Sequence, residues 1–427
     1  MNQYILKFQK IKAGLINSSE MRFKIALICA IVFYVFGKHA IANVFVIAMG
    51  LNWLLTKGIL RRVKLSLAKT STWMLLMIFL LTVFGTLYST DLKSAWRIIE
   101  MRLTLLLIPL IFVSTDYSKK TKIQILLTFL YSCIAASIVG LLFSCYNYYI
   151  TNDSGYFYND NLVMAIKNQA VYFALYLNIC LIIIYWYLQE SGFENKSMWL
   201  LVMIYLVLFI FLLASRVSIL VSLIIIGFVF YNLYLKSRKV SNVIGMIILL
   251  IGSVILLGII FPKTTKRFRS ATSNFHYKFD NPNDVNHFNG QLSEQNWNGL
   301  TLRLALWQCS LEIIEEYPFL GVGTGDYDSK FREKIEEKNF LYAMKQDFGV
   351  HNQYLNIAIS FGLLGLSIFL FSIGHLIFNA ISNKNYLFVA ILLVFLLGFV
   401  TENVLNRYIG ILSFAVLTSL SYYKTKD

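Results

Sequence analysis

Three side chains far apart in the chain have the types and settings from which group transfer could be built. His351, followed by Asn352, stands where a polar segment passes into an apolar one, in FGVHNQYLNIAISFGLLGLSIFL. An imidazole with an ordinary pKa near ~6.5 is largely neutral outside the cytoplasm and can take a proton from an attacking hydroxyl. As a base it would have Asn352 and Tyr354 to orient it or a sugar; it could equally be a capping or interface residue of the helix that follows. The preceding Asp347-Phe348-Gly349 has no kinase context, neither a strand-borne lysine nor a catalytic-loop pattern. Arg216 lies between FIFLLAS and VSILVSLIIIGF with almost no loop between them, so it sits at the lip of a helical hairpin. Arg303 falls in LTLRLALWQCSLEIIEEYP, where Leu300, Leu304, Trp307, Leu311 and Ile314 recur with helical spacing. Trp307 is four residues on from Arg303 and shares its face. A guanidinium at such an edge is either an anchor packed along apolar surface or on an aromatic ring, or a planar fork for phosphate. Two at one mouth would match the spread charge of a pyrophosphate.

Other polar residues gather near the same helix ends. GVGTGDY, with Gly321, Gly323 and Gly325, follows Pro318 and looks like a phosphate cradle, but it lacks the Walker Lys-Ser/Thr and a preceding strand. A tight turn joining the Arg303 helix to YDSKFREKIEEKNFL is the plainer expectation. Glu402, in GFVTENVLNRYIG, would be costly against lipid and is expected to face the bundle interior or a wet cavity. Arg407 is its expected partner, either as a structural ion pair or as part of a site. Asn168 and Gln169 stand at a helix mouth and could line a sugar path. His276 and His287 have no neighbouring ligand at metal spacing and are read as surface residues. Cys29, Cys133, Cys145, Cys180 and Cys309 form no pairs at ligand spacing, so neither a metal, a cofactor nor a disulfide framework is expected.

The elements that must position these residues are set by hydropathy. The chain is 58% hydrophobic and 14% charged, with a mean hydropathy of +0.64. A soluble core cannot hide that much apolar surface. Apolar runs long enough to cross a hydrocarbon core recur throughout, and the alternating segments of a membrane barrel are missing. The expected fold class is all-α: a polytopic helical membrane protein with about 12 transmembrane helices and one long outer loop containing short helices. The spans are expected near 22–37, 40–56, 72–88, 97–114, 122–149, 168–188, 198–214, 217–235, 240–261, 352–379, 385–402 and 405–423. The first, Phe23 to Phe36, has no small-residue cleavage site after it and is read as a retained helix. The resulting organisation is membrane helices over 1–261, a hydrophilic loop over 262–350 and membrane helices again over 351–427.

The net charge of +16 is read as topology rather than as nucleic-acid affinity. With both termini inside, the cytoplasmic segments carry 20 Lys and Arg and the short outer segments 7. That asymmetry puts the long loop, Arg216, Arg303, His351 and Arg407 on the outer side, with Glu402 near it. Nucleotide-activated donors are not found there, so substrates must arrive already activated, usually on a lipid carrier.

SRVSILV, LRLALWQCSLEIIEEYPFLGVGTGDY and HNQYLNIAISFGLLGL occur in the order found in the O-antigen ligase and O-antigen polymerase superfamily, which the chain resembles in detail over roughly 195–405. The resemblance implies a C-type glycosyltransferase in the bacterial inner membrane with a periplasmic site. It implies a metal-independent, inverting transfer from an undecaprenyl-pyrophosphate-linked glycan donor to an acceptor hydroxyl. Arg216 and Arg303 match the family's pyrophosphate-holding arginines, His351 its general base, Gly321 and Gly323 its glycine turn, and Glu402 a recurrent acidic position. A ligase acting on a lipid A-core acceptor is the first expectation, and a repeat-unit polymerase acting on a growing glycan is the alternative. The asparagine-rich start of the outer loop departs from the pattern. A secondary transporter is the reading from another class. It would place helix breaks and polar groups at the midplane, but of the four prolines only Pro109 lies within a span and the charges crowd one face.

Overall fold

The computed structural model describes residues 19–56, 58–115, 117–232, 278–280, 297–346 and 348–423. The expected span 240–261, His276 and His287 lie outside the described residues. The first helices are α1 (Ser19–Val35), α2 (His39–Leu54), α3 (Ile59–Leu67) and α4 (Thr70–Thr86). They are followed by α5 (Leu92–Arg102), α6 (Thr104–Ser114), α7 (Lys119–Thr151) and the single turn α8 (Asn159–Leu162). Next come α9 (Ala170–Glu190), α10 (Lys196–Leu213) and α11 (Arg216–Phe230). The hydrophilic region contributes α12 (Thr301–Glu316), α13 (Tyr327–Glu337) and α14 (Leu341–Gln346). The chain then returns to the bundle through α15 (Gln353–Ser382), α16 (Tyr386–Phe399) and α17 (Tyr408–Tyr422).

Among the described residues the fold is helical, with no strand. Four helices, α7, α9, α10 and α15, are long and apolar enough to cross a membrane. The bent pair α2–α3 would make a fifth only if its 100° bend lies within one span. Helices α4, α11, α16 and α17 are apolar but shorter. The expected span at 97–114 is not one helix. It divides at Leu103 into α5 and α6, because LKSAWRIIEMR carries Lys93, Arg97, Glu100 and Arg102 and cannot turn an apolar face to all sides, whereas TLLLIPLIFVS can.

Helix α9 is apolar around its whole circumference and is accordingly central, packed against α7, α10, α11 and α16. A second, smaller core joins α12, α13 and α14 through Leu306, Cys309, Ile313, Phe331 and Phe340, and rests on Ala358 and Ile359 of α15. Residues 297–346, the larger described part of the hydrophilic segment, therefore form a helical cap seated on the start of α15.

The cap is locked to α15 where that helix breaks. Gly362 has φ 66 and ψ −175, a combination essentially confined to glycine, and a Cβ there would collide with Phe319 O. The break exposes backbone groups that the glycine turn takes up. Leu363 N–H donates to Pro318 O (2.7 Å), Val322 N–H to Ile359 O (2.8 Å) and Gly323 N–H to Ser360 O (3.0 Å). Non-helical backbone at this depth is tolerated because protein re-satisfies it. Gly321 and Gly323 form the expected turn, with φ 69 and φ 99, and Gly321 leaves no room for a Cβ beside Ile359 O. Replacing Gly362 by Ala should cost about 2 kcal/mol or more through strain alone. Gly374→Ala, in the same helix with open space around it, should be neutral or mildly stabilising. Thermal unfolding of the purified protein in detergent measures both.

Candidate active site

The site begins with the start of α15. Asn352 is its N-cap: its side-chain oxygen accepts from Tyr354 N–H (2.9 Å) and Leu355 N–H (3.1 Å). His351, one residue earlier, has left-handed backbone geometry, φ 51, which few non-glycine residues adopt. The conformation is held from the next residue, whose N–H donates to Asn403 Oδ1 (2.8 Å). The cap role belongs to Asn352, which leaves the imidazole for another use. Tyr354 does not orient His351; its hydroxyl donates to Leu396 O (2.9 Å).

The imidazole meets Glu402. His351 Nδ1 lies 3.1 Å from Glu402 Oε2, and Arg303 Nη2 donates to Oε1 of the same carboxylate at 2.9 Å. The carboxylate is 8% exposed. Burial by itself pushes its pKa up, but the hydrogen bond and charge of His351 and the charge and hydrogen bond of Arg303 outweigh burial and hold it down at about 2. Glu402 is therefore ionised and accepts only. Nδ1 must carry the proton, and Nε2 is left with its lone pair. This is the arrangement in which a carboxylate fixes the tautomer of a histidine base and stabilises the imidazolium that forms.

Arg303 is held by more than Glu402. Its Nε donates to Thr401 O (3.2 Å) and its Nη1 to Gly299 O (2.8 Å). It turns to the 401–402 backbone and carboxylate rather than lying along its neighbour Trp307, whose buried Nε1 has no hydrogen-bond partner. Arg216 opens α11, next to a left-handed residue, Ala214, that makes the sharp corner from α10. It is half-buried and close enough to Arg303 for their like charges to interact. Two guanidiniums side by side favour an anion between them.

Arg407 is not the partner of Glu402. It is exposed, and its Nη1 donates to Gln169 Oε1 (2.9 Å). Arg303 reaches Glu402 instead because α12 packs along α15 and brings its third residue over the 400–407 segment. Arg407 does line a cavity of about 170 Å³ with His351, Glu402, Asn403, Asn406 and Arg102. The last three were not singled out by sequence. Arg102 donates to Thr82 Oγ1 (2.8 Å), Leu405 O (3.2 Å) and Asn406 Oδ1 (2.7 Å). The signal was present: Arg102 stands directly before the apolar run of α6, where a charge is expensive unless it serves a purpose.

A helical bundle with apolar spans and a histidine and an arginine sharing one buried carboxylate at its end defines a multi-helix membrane protein with an enzyme-like polar site. Residues 201–370 match the family model described as O-antigen ligase, in agreement with the superfamily resemblance read from the motifs. The match takes in Arg216, Arg303 and His351 and stops short of Glu402. No curated protein matches the chain.

The ion cluster has a pH signature. Because the pKa of Glu402 is lower folded than unfolded, the unfolded state takes up the proton first as pH falls, and stability is lost in that direction. The difference in melting temperature between wild type and Glu402→Gln should be full above the ordinary value of 4.5 and should shrink as pH falls toward about 2.

Proposed function

We propose that this protein transfers a glycan from undecaprenyl pyrophosphate to an acceptor hydroxyl at the periplasmic face of the bacterial inner membrane, as an O-antigen ligase. The acceptor oxygen attacks the anomeric carbon as the bond to the pyrophosphate oxygen breaks. The hydroxyl proton goes to Nε2 of His351, and Glu402 stabilises the imidazolium. Arg216 and Arg303 meet the charge that grows on the leaving pyrophosphate, which asks for no metal. One direct displacement inverts the anomeric carbon. Entry of both lipid-linked substrates from the bilayer suits a site at the bundle end.

The observation that carries the proposal is the Glu402 carboxylate shared between His351 and Arg303, with Arg216 beside Arg303. A cap or an anchor alone would need no such sharing. A repeat-unit polymerase would use the same donor chemistry and differ only in its acceptor.

His351→Ala should lower transfer by about a hundredfold or more while leaving donor binding close to wild type. Arg216→Ala should weaken donor binding and turnover together. Release of undecaprenyl pyrophosphate by the purified protein, and surface-glycan display in a deletion strain carrying each variant, are the measurements. Normal display with His351→Ala would contradict the proposal. Loss of attachment with normal polymer length marks a ligase, and loss of length marks a polymerase.

A further inference from the structure

The cavity beside His351 carries a charge pattern that the donor chemistry does not use. Its lining includes Arg102 and Arg407 but neither Arg216 nor Arg303. Arg102 is 4% exposed, and its hydrogen bonds all run to neutral oxygens, on Thr82, Leu405 and Asn406. A buried guanidinium whose hydrogen bonds all go to neutral acceptors is a costly state for a protein to maintain. Arg407 is exposed at the rim and bonded to the neutral amide of Gln169.

The acidic residues around the cavity do not cancel this charge. Glu402 is already met by His351 and Arg303. Asp328, on α13, also lines the cavity and its charge is felt by Arg102, so one carboxylate stands against two guanidiniums. The chamber is positive and polar. At about 170 Å³ it has room for roughly six waters at ~30 Å³ each, enough for a phosphate-sized group and part of a sugar ring. His351 lines the same chamber, so a hydroxyl held there lies beside the candidate base.

We propose that this cavity seats the acceptor and selects one that carries an anionic group of the phosphate class near its attacking hydroxyl, held by Arg102 and Arg407. The inference rests on the sugar-transfer reading and adds to it a second anion seat, on the acceptor side of His351. Two sources would supply that chemistry: a lipid-anchored saccharide bearing phosphate, or a second pyrophosphate-linked glycan.

The test uses the full-length protein in nanodiscs, titrated with inorganic pyrophosphate. Two sites are expected. Arg407→Gln should weaken one by about tenfold, the loss of one charge-assisted hydrogen bond, and Arg216→Gln should weaken the other. Transfer assays with each acceptor type, before and after removal of its phosphate, form the second arm. Phosphate removal and Arg407→Gln should each raise the acceptor KM and leave the donor KM unchanged, and the acceptor type that responds identifies the source. Arg407 is exposed, so its replacement leaves the buried network standing. Arg102→Gln should give the same split with a larger effect. A single pyrophosphate site with an unchanged acceptor KM in Arg407→Gln overturns the inference while His351→Ala still abolishes transfer. Intact transfer in His351→Ala instead sinks the sugar-transfer reading itself.

Discussion

A buried carboxylate between an imidazole and a guanidinium organises everything else at this end of the molecule. Glu402 is taken out of water at a cost of several kcal/mol, and that cost is offset only while Arg303 and His351 both keep their hydrogen bonds to it. The shared carboxylate fixes which nitrogen of His351 holds the proton and at the same time fixes Arg303. Remove either partner and the other loses its reason to point where it does.

The short segment after α16 is where the constraint is enforced. Residues 400–407 are tied to α12 by Arg303, to the start of α15 by Asn352–Asn403 and by Leu405 N–H donating to Gln353 Oε1 (2.7 Å), and to α5 by Arg102. Three parts of the chain, 51, 98 and 303 residues away at those contacts, therefore meet on eight residues of irregular backbone. The cap reaches this place because α15 breaks at Gly362 and the glycine turn fills the break, so the backbone distortion and the site are parts of one arrangement. Irregular backbone here is affordable since almost every group it frees finds a protein partner.

Much of this was legible in the sequence, for identifiable reasons. Helical periodicity in LTLRLALWQCSLEII found α12, and GVGTGDY found the turn because Gly321 and Gly323 take positive φ angles that few other residues adopt. The polar-to-apolar switch at His351 found the start of α15. What was not legible was pairing. Arg407 is nearer in sequence to Glu402 than Arg303 is, and nothing in composition says that a residue 99 positions away wins. The division of α5 from α6 was hidden because the apolar run of α6 masks the charged stretch before it in any window average. Arg102 shows in the sequence only as one more positive charge, and its burial is what makes it chemically interesting. Burial and side-chain direction are tertiary properties, and one sequence carries them only indirectly.

The central claim is that Glu402 holds His351 as the Nδ1–H tautomer, with Nε2 free to accept a proton. Nitrogen-15 NMR of the ring-labelled protein tests it most directly, with the His351 signals assigned by their loss in His351→Gln. In the neutral ring, in the absence of substrate, a protonated Nδ1 and an unprotonated Nε2 are expected, with loss of that bias in Glu402→Gln. An Nε2–H tautomer in the wild-type protein, or the same tautomer ratio with and without the carboxylate, would contradict it.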